Sequence, residues 1–283
     1  MARLAQRIER GVKTISVRGL RLNLRLKKLL ARRGHCLFVT SIPKSGSTFL
    51  VTALAEATGF MPFFLGFHHL NEQDLYLPKL IDSYSMNVVS HHHTRATKPN
   101  LEFMREFRIR PVIVTRDLFD ALVSLRDHLE NESRATPVIA VTDDFFDQTP
   151  ERQYDFLIDL ALPWYINFYA SWATAHGAGE IDALWLSYED VMADQAGTLS
   201  RILNFYDLKR DQADIDQAIA TAAASSGVRL NVGVTGRGQA LLSEQQKDRM
   251  RALIRHHPGV HFGGFGLGAE PSDAALCSRT SAP

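Results

Sequence analysis

The segment that most constrains this chain runs from Leu37 to Gly59, where a short apolar run, a polar turn and an apolar-periodic stretch follow one another without a gap. Leu37 to Ile42 has the largely apolar, β-branched make-up of a strand covered on both faces. Pro43, which has no N–H to give to a ladder, ends it. Phe49, Leu50, Ala53, Leu54 and Ala57 then recur at helical spacing until Gly59 closes the helix. The residues between, Lys44-Ser45-Gly46-Ser47-Thr48, therefore sit at a helix N-terminus, among unpaired backbone N–H groups and at the positive end of the helix dipole. A phosphate-like anion is the expected guest, although a serine-rich turn between strand and helix would use the same residue types.

The loop does not have the Walker A order, which places lysine directly after the second glycine, whereas Lys44 precedes Gly46. Pro43-Lys44-Ser45-Gly46-Ser47-Thr48-Phe49 instead resembles the 5′-phosphosulfate loop of the sulfotransferases, which bind 3′-phosphoadenosine 5′-phosphosulfate (PAPS). Ser47 and Phe49 depart from the family's commonest form, Phe49 keeping a flat ring where relatives stack tryptophan on adenine. The resemblance implies that Lys44, Ser45, Gly46, Ser47 and Thr48 surround the 5′-phosphosulfate.

Other segments extend the resemblance. Arg116 and Ser124 reproduce the family's Arg-x7-Ser spacing, implying a 3′-phosphate site in which a guanidinium fork and a neutral hydroxyl donate together. Alone, Arg116 would equally pair with Asp117 or Asp120. Tyr188-Glu189-Asp190 is similar to the family's Tyr-Glu-Asp, which implies that Tyr188 meets the adenine edge. The family's terminal Arg-Lys-Gly-x-x-Gly becomes Asn231-Val232-Gly233-Val234-Thr235-Gly236, so Gly233 keeps its place while Arg237 or Arg229 replaces the lost charge. His93 matches the family's catalytic histidine to within one residue, with His92 as the fallback and His91 where many relatives carry lysine. An imidazole with a pKa near 6.5 suits removal of an acceptor proton. His91 and His93 on one strand face, with His68 or His69, form the alternative of a metal site.

The rest of the chain reads as alternating strands and helices: strands at 37–42, 86–93, 111–117 and 183–190, and helices at 100–108, 118–129, 193–205, 211–224 and 243–255. Arg152 to Ala175 reads as one long aromatic helix kinked at Pro163. The fold class is α/β, a doubly wound, mostly parallel sheet flanked by helices, and the resemblance implies a three-layer sandwich of the P-loop NTPase kind. Three parts are expected: a basic segment 1–34, the catalytic domain 35–262, and a glycine- and serine-rich mobile tail 263–283. Residues 1–33 hold eleven Lys/Arg against Glu9 alone, which suits either a solvated helix or peripheral contact with an anionic membrane. The overall net charge of +1 argues against a general polyanion or nucleic-acid binder. Cys36 and Cys277 are too few for a disulfide framework, and with no apolar run near membrane-spanning length the expected location is cytoplasmic.

The expected reaction is in-line transfer of a sulfuryl group from PAPS, as co-substrate, to a hydroxyl or amine of a carbohydrate, lipid or small metabolite. Lys44 neutralises the leaving charge, His93 acts as base, and no metal is needed. An Mg²⁺-dependent nucleotide kinase with an atypical loop and an inactive membrane-surface adaptor are the alternatives. Phe63, Phe64, Phe67, Trp164 and Tyr165 suit an apolar acceptor and suit a core equally well.

Overall fold

The computed structural model describes residues 18–68, 72–225 and 235–267. In chain order these form α1 (18–30), β1 (Cys36–Ser41), α2 (Ser47–Thr58), β2 (Met61–Pro62), α3 (Leu77–Asp82), β3 (Val88–His92), α4 (Lys98–Phe107), β4 (Pro111–Thr115) and α5 (Leu118–Asn131). They continue with α6 (Asp143–Phe146), α7 (Pro150–Leu160), α8 (Leu162–Gly177), β5 (Leu184–Ser187), α9 (Tyr188–Ala193), α10 (Gln195–Phe205), α11 (Gln212–Ala224), α12 (Arg237–Leu241) and α13 (Glu244–Ile254). The strands make one five-stranded sheet, order β2-β3-β1-β4-β5, in which every pairing is parallel.

Alternation along the strands divides the core between the two faces of the sheet. Leu37 and Val39 of β1, with Val112 and Val114 of β4, pack on α2, α10 and α11 through Leu50, Leu54, Ile202 and Ile215. Phe38 and Ile113 point the other way, into the larger cluster built from α4, α5, α7 and α8 around Trp172, Tyr165 and Phe119. The result is the helix–sheet–helix sandwich of a doubly wound fold.

Four sequence expectations need correction. β2 is a strand beyond the four expected from the sequence; its proline is tolerated because this two-residue strand forms the sheet edge. The single helix expected over Arg152–Ala175 is two helices that part at Ala161, with Pro163 in the first turn of α8, where a missing N–H breaks no hydrogen bond. The last strand stops at Ser187 rather than Asp190, because the Ser187 hydroxyl accepts from Asp190 N–H at 2.9 Å and the Asp190 carboxylate accepts from Ser187 N–H. That capping box turns Tyr188-Glu189-Asp190 into the first turn of α9. Core packing also runs past residue 262, since Phe265 and Leu267 are buried and Phe265 packs 4.5 Å from Tyr169, ring centre to ring centre.

One side-chain hydroxyl is inserted into the sheet where β4 begins. Pro111 begins β4 opposite Phe38 and has no N–H. At this point the Tyr206 hydroxyl bridges β1 and the residue before β4, accepting from Phe38 N–H at 3.0 Å and donating to the Arg110 carbonyl at 2.6 Å. Tyr206→Phe is expected to lower stability by about 1–3 kcal/mol, the usual cost of stranding a buried N–H. Urea denaturation measures this, and an unchanged midpoint would mean that water reaches Phe38.

Candidate functional site

Four of the five strands deliver a polar residue at the same edge of the sheet. β1 leads into Lys44, β3 into His93, β4 into Arg116 and β5 into Tyr188, so parallel pairing gathers them at the carboxyl ends of the strands, the ligand-binding edge of such sheets.

The loop after β1 is shaped by two left-handed residues, Lys44 with φ 69° and Gly46 with φ 72°. Lysine adopts that region at a cost, and here it turns the Lys44 carbonyl inward, where Arg116 Nη1 donates to it at 2.7 Å. The Ser45 hydroxyl donates to the Ile42 carbonyl at 2.9 Å and fixes the turn from within. Gly46 is the N-cap of α2 and has no side chain to cap the first-turn N–H groups, which leaves those donors for a ligand. Thr48 is exposed on that first turn, whereas Ser45 and Ser47 are buried.

Arg116 is only 6 % exposed. Its guanidinium lies 4.2 Å from the centre of the Tyr188 ring, and its Nε–H is buried without an acceptor among the described residues. The same tyrosine ring closes over Gly46, where an added Cβ would come within 2.9 Å of it. Tyr188 thus props both the loop and the arginine. Ser124, on α5, is buried, and Phe49 packs in the core with Leu50 and Leu54.

The three histidines separate as strand alternation requires. His92 turns into the core between Phe38 and Phe64, at ring-centre distances of 5.3 and 4.8 Å, and its Nε2 accepts from Leu65 N–H at 3.1 Å. His91 and His93 share the other face, their rings edge-on at 4.9 Å. His93 Nδ1 donates to the Ser41 carbonyl at 2.7 Å, which leaves the Nε2 lone pair facing Glu72 Oε2 at 3.5 Å. Burial holds the His93 pKa below its ordinary value, against the opposing pull of Glu72 and of the Ser41 carbonyl. His91, hydrogen-bonded to the Ser41 hydroxyl at 3.1 Å, is held well below, first by burial and then by the neighbouring histidines. Among the described residues no three His, Cys, Asp or Glu side chains converge as metal ligands.

Several partners in this arrangement carried no sequence signal. Glu72 and Glu132 come from loops, and Glu132 lies 4.0 Å from Lys44 while also meeting His128 at 3.0 Å. Asp120 is buried and accepts from Gly236 and Gly238 N–H, each at 2.7 Å, which pins the glycine segment to the start of α5. Glu189 accepts from Asp117 N–H at 3.1 Å, and burial pushes the Asp117 carboxyl up to about 6. Arg237 pairs with Asp127 at 2.8 Å. Gly233 and Arg229 lie outside the described residues. Beside His93, Gln73 accepts from Trp164 Nε1 at 2.9 Å and donates to the Pro137 carbonyl at 2.8 Å, tying three segments into one wall. Tyr165 is fully buried, and Phe67 is 66 % exposed.

No family model matches the chain, and no curated protein matches it by sequence. Solved structures do match by fold. Mouse sulfotransferase SULT7A1, complexed with PAP, has TM-score 0.62 at 12% identity over 87% of this chain and 91% of its own. Retinol dehydratase, complexed with retinol and PAP, has TM-score 0.56 at 14% identity over 80% of this chain and 82% of its own.

The depressed histidines predict an acid-labile site. A histidine whose folded pKa lies below its unfolded value near 6.5 contributes stability that is complete above that value and is lost as pH falls through it. Stability is expected to decline between pH 7.5 and about 5, more shallowly in His91→Gln, which keeps a donor and acceptor but does not titrate. Denaturant midpoints at pH 7.5, 6.5 and 5.5 measure it, and identical slopes in both proteins would acquit His91.

Proposed function

We propose that this chain, which has the sulfotransferase fold, is a PAPS-dependent sulfotransferase acting on a hydroxyl-bearing acceptor. Arg116 is the observation that carries the reading. A buried guanidinium with one N–H on a backbone carbonyl and an unanswered Nε–H is a donor waiting for an anion, at the place where the 3′-phosphate site is expected.

The donor set fits the co-substrate. Lys44 and the N–H groups at the uncapped start of α2 would hold the 5′-phosphosulfate, and Arg116 with Ser124 the 3′-phosphate. Gly233, three positions before Gly236 in the sequence, would add a backbone N–H, and Arg237, paired with Asp127, would add positive charge. When bound, PAPS supplies an activated sulfuryl group. The chain's part is positioning and charge: Lys44 stabilises negative charge developing on the leaving side, and the helix terminus does so without protonation chemistry.

His93 is assigned as the base. Its Nδ1–H is committed to Ser41, so Nε2 takes the acceptor's proton and the positive imidazolium is stabilised by Glu72. A pKa below the ordinary value keeps Nε2 unprotonated at neutral pH. His92, sealed between two phenylalanines with Nε2 occupied, cannot reach an acceptor. Retinol and androsterone, found with retinol dehydratase, are apolar alcohols. The Trp164–Gln73 wall beside His93 suits that class.

Calorimetry with 3′,5′-diphosphoadenosine in metal-free buffer tests the donor site. Wild-type chain is expected to bind it in preference to ATP with Mg²⁺, and Arg116→Ala to bind about 10- to 100-fold more weakly, the loss of a charged hydrogen bond. Preference for ATP with Mg²⁺ would overturn the reading in favour of a kinase. His93→Ala is expected to keep nucleotide affinity within about twofold while transfer from radiolabelled PAPS to a hydroxyl acceptor falls by about 10²- to 10⁴-fold. Undiminished transfer would place the base elsewhere.

A further inference from the structure

We infer that α1 is an interfacial helix that seats the chain on an anionic lipid surface. Of nine exposed large hydrophobic residues among those described, four lie on this one helix: Leu22, Leu26, Leu29 and Leu30, the last two more than 80 % exposed. At about 100° per residue they form a single stripe. Arg18, Arg21, Arg25 and Lys28 form the neighbouring stripe, all exposed. The opposite face docks on the domain: Leu24 is 2 % exposed, and Lys27 Nζ donates to the Ile81 carbonyl at 2.8 Å. The leucines therefore do not serve the core.

Charge decides the occupant. Residues 1–33 carry eleven basic side chains and one acid, and removing these from the chain's 32 basic and 31 acidic side chains leaves 21 and 30, a net charge of −9 for the remainder. An anionic bilayer attracts the helix and repels the body, which orients the chain with α1 against the lipid. Leucines beside a row of arginines are the composition of an interfacial helix, apolar face in the acyl boundary and cations among the headgroups. No described helix is long and apolar enough to cross a membrane. α1 packs near the end of α4, where Lys28 meets Glu106 at 3.4 Å, and leads directly into the start of β1. It lies at the amino edge of the sheet, opposite Lys44, His93 and Arg116, so a seated chain keeps its site open to water.

Co-sedimentation of the full chain with vesicles of phosphatidylcholine, alone or with about 30% phosphatidylserine, tests this. Wild type is expected to partition onto the anionic vesicles only, and to be released as salt rises towards 0.5 M. Arg21→Glu with Arg25→Glu is expected to weaken partitioning by at least tenfold, since each basic group near the surface contributes roughly fivefold. Leu22→Ala with Leu26→Ala, Leu29→Ala and Leu30→Ala is expected to weaken it at least tenfold at unchanged charge, with circular dichroism and melting temperature confirming the fold. Equal binding by the leucine variant, no binding by wild type, or a concentration-dependent dimer that this variant abolishes would overturn the proposal, the last in favour of a second copy of the chain.

Discussion

The structure depends on how one buried cation is held. Arg116 leaves water at the end of β4, and burying a guanidinium is costly unless its donors are answered. One donor is answered by the Lys44 carbonyl, which the left-handed conformation of Lys44 turns inward, and the flat face is covered by Tyr188. Each of these comes from the end of a different strand. The arginine therefore ties the ends of β1, β4 and β5 together, and its Nε–H stays buried without an acceptor among the described residues.

A second constraint is the division of the histidine triplet by strand geometry. A period of two puts His92 on one face and His91 and His93 on the other, and the two faces of this sheet differ completely. One is sealed by Phe38 and Phe64; the other opens toward Ser41 and Glu72. Three chemically identical side chains thus acquire three environments, a stacked core ring, a desolvated neighbour of the Ser41 hydroxyl and an imidazole held between the Ser41 carbonyl and Glu72. Glu72 is what completes the last of these, since it can stabilise the cation formed when Nε2 takes a proton.

Much of this was legible in the sequence, and the failures have a common cause. β1, the polar loop and α2 are encoded by local pattern and turn residues, and the structure has them within about a residue. The His91/His93 face follows from alternation alone. What escaped was decided by single polar contacts or by remote loops. Ser187 and Asp190 cap each other and cut the last strand short, although hydrophobic pattern carries it on through Tyr188. Asp120 looks like one more helical acid until the glycines of a segment more than a hundred residues away donate to it. Glu72 and Glu132 sit in stretches with no periodicity, so nothing local marks them as neighbours of His93 and Lys44.

The same distinction explains how a fold persists at 12–14% identity to solved structures while no family model and no curated protein matches the chain. A parallel sheet needs only apolar, β-branched strands and right-handed crossovers, requirements that many sequences meet. What it imposes in return is position: whatever follows the carboxyl end of each strand must meet at one edge. Lys44, His93, Arg116 and Tyr188 are strand-end residues before they are anything else. α1 lies at the other edge, beyond that convergence, with Leu24 and Lys27 turned to the domain and Leu22, Leu26, Leu29 and Leu30 exposed. Two surfaces with unrelated demands are kept apart by the length of the strands between them, so either can change without disturbing the other.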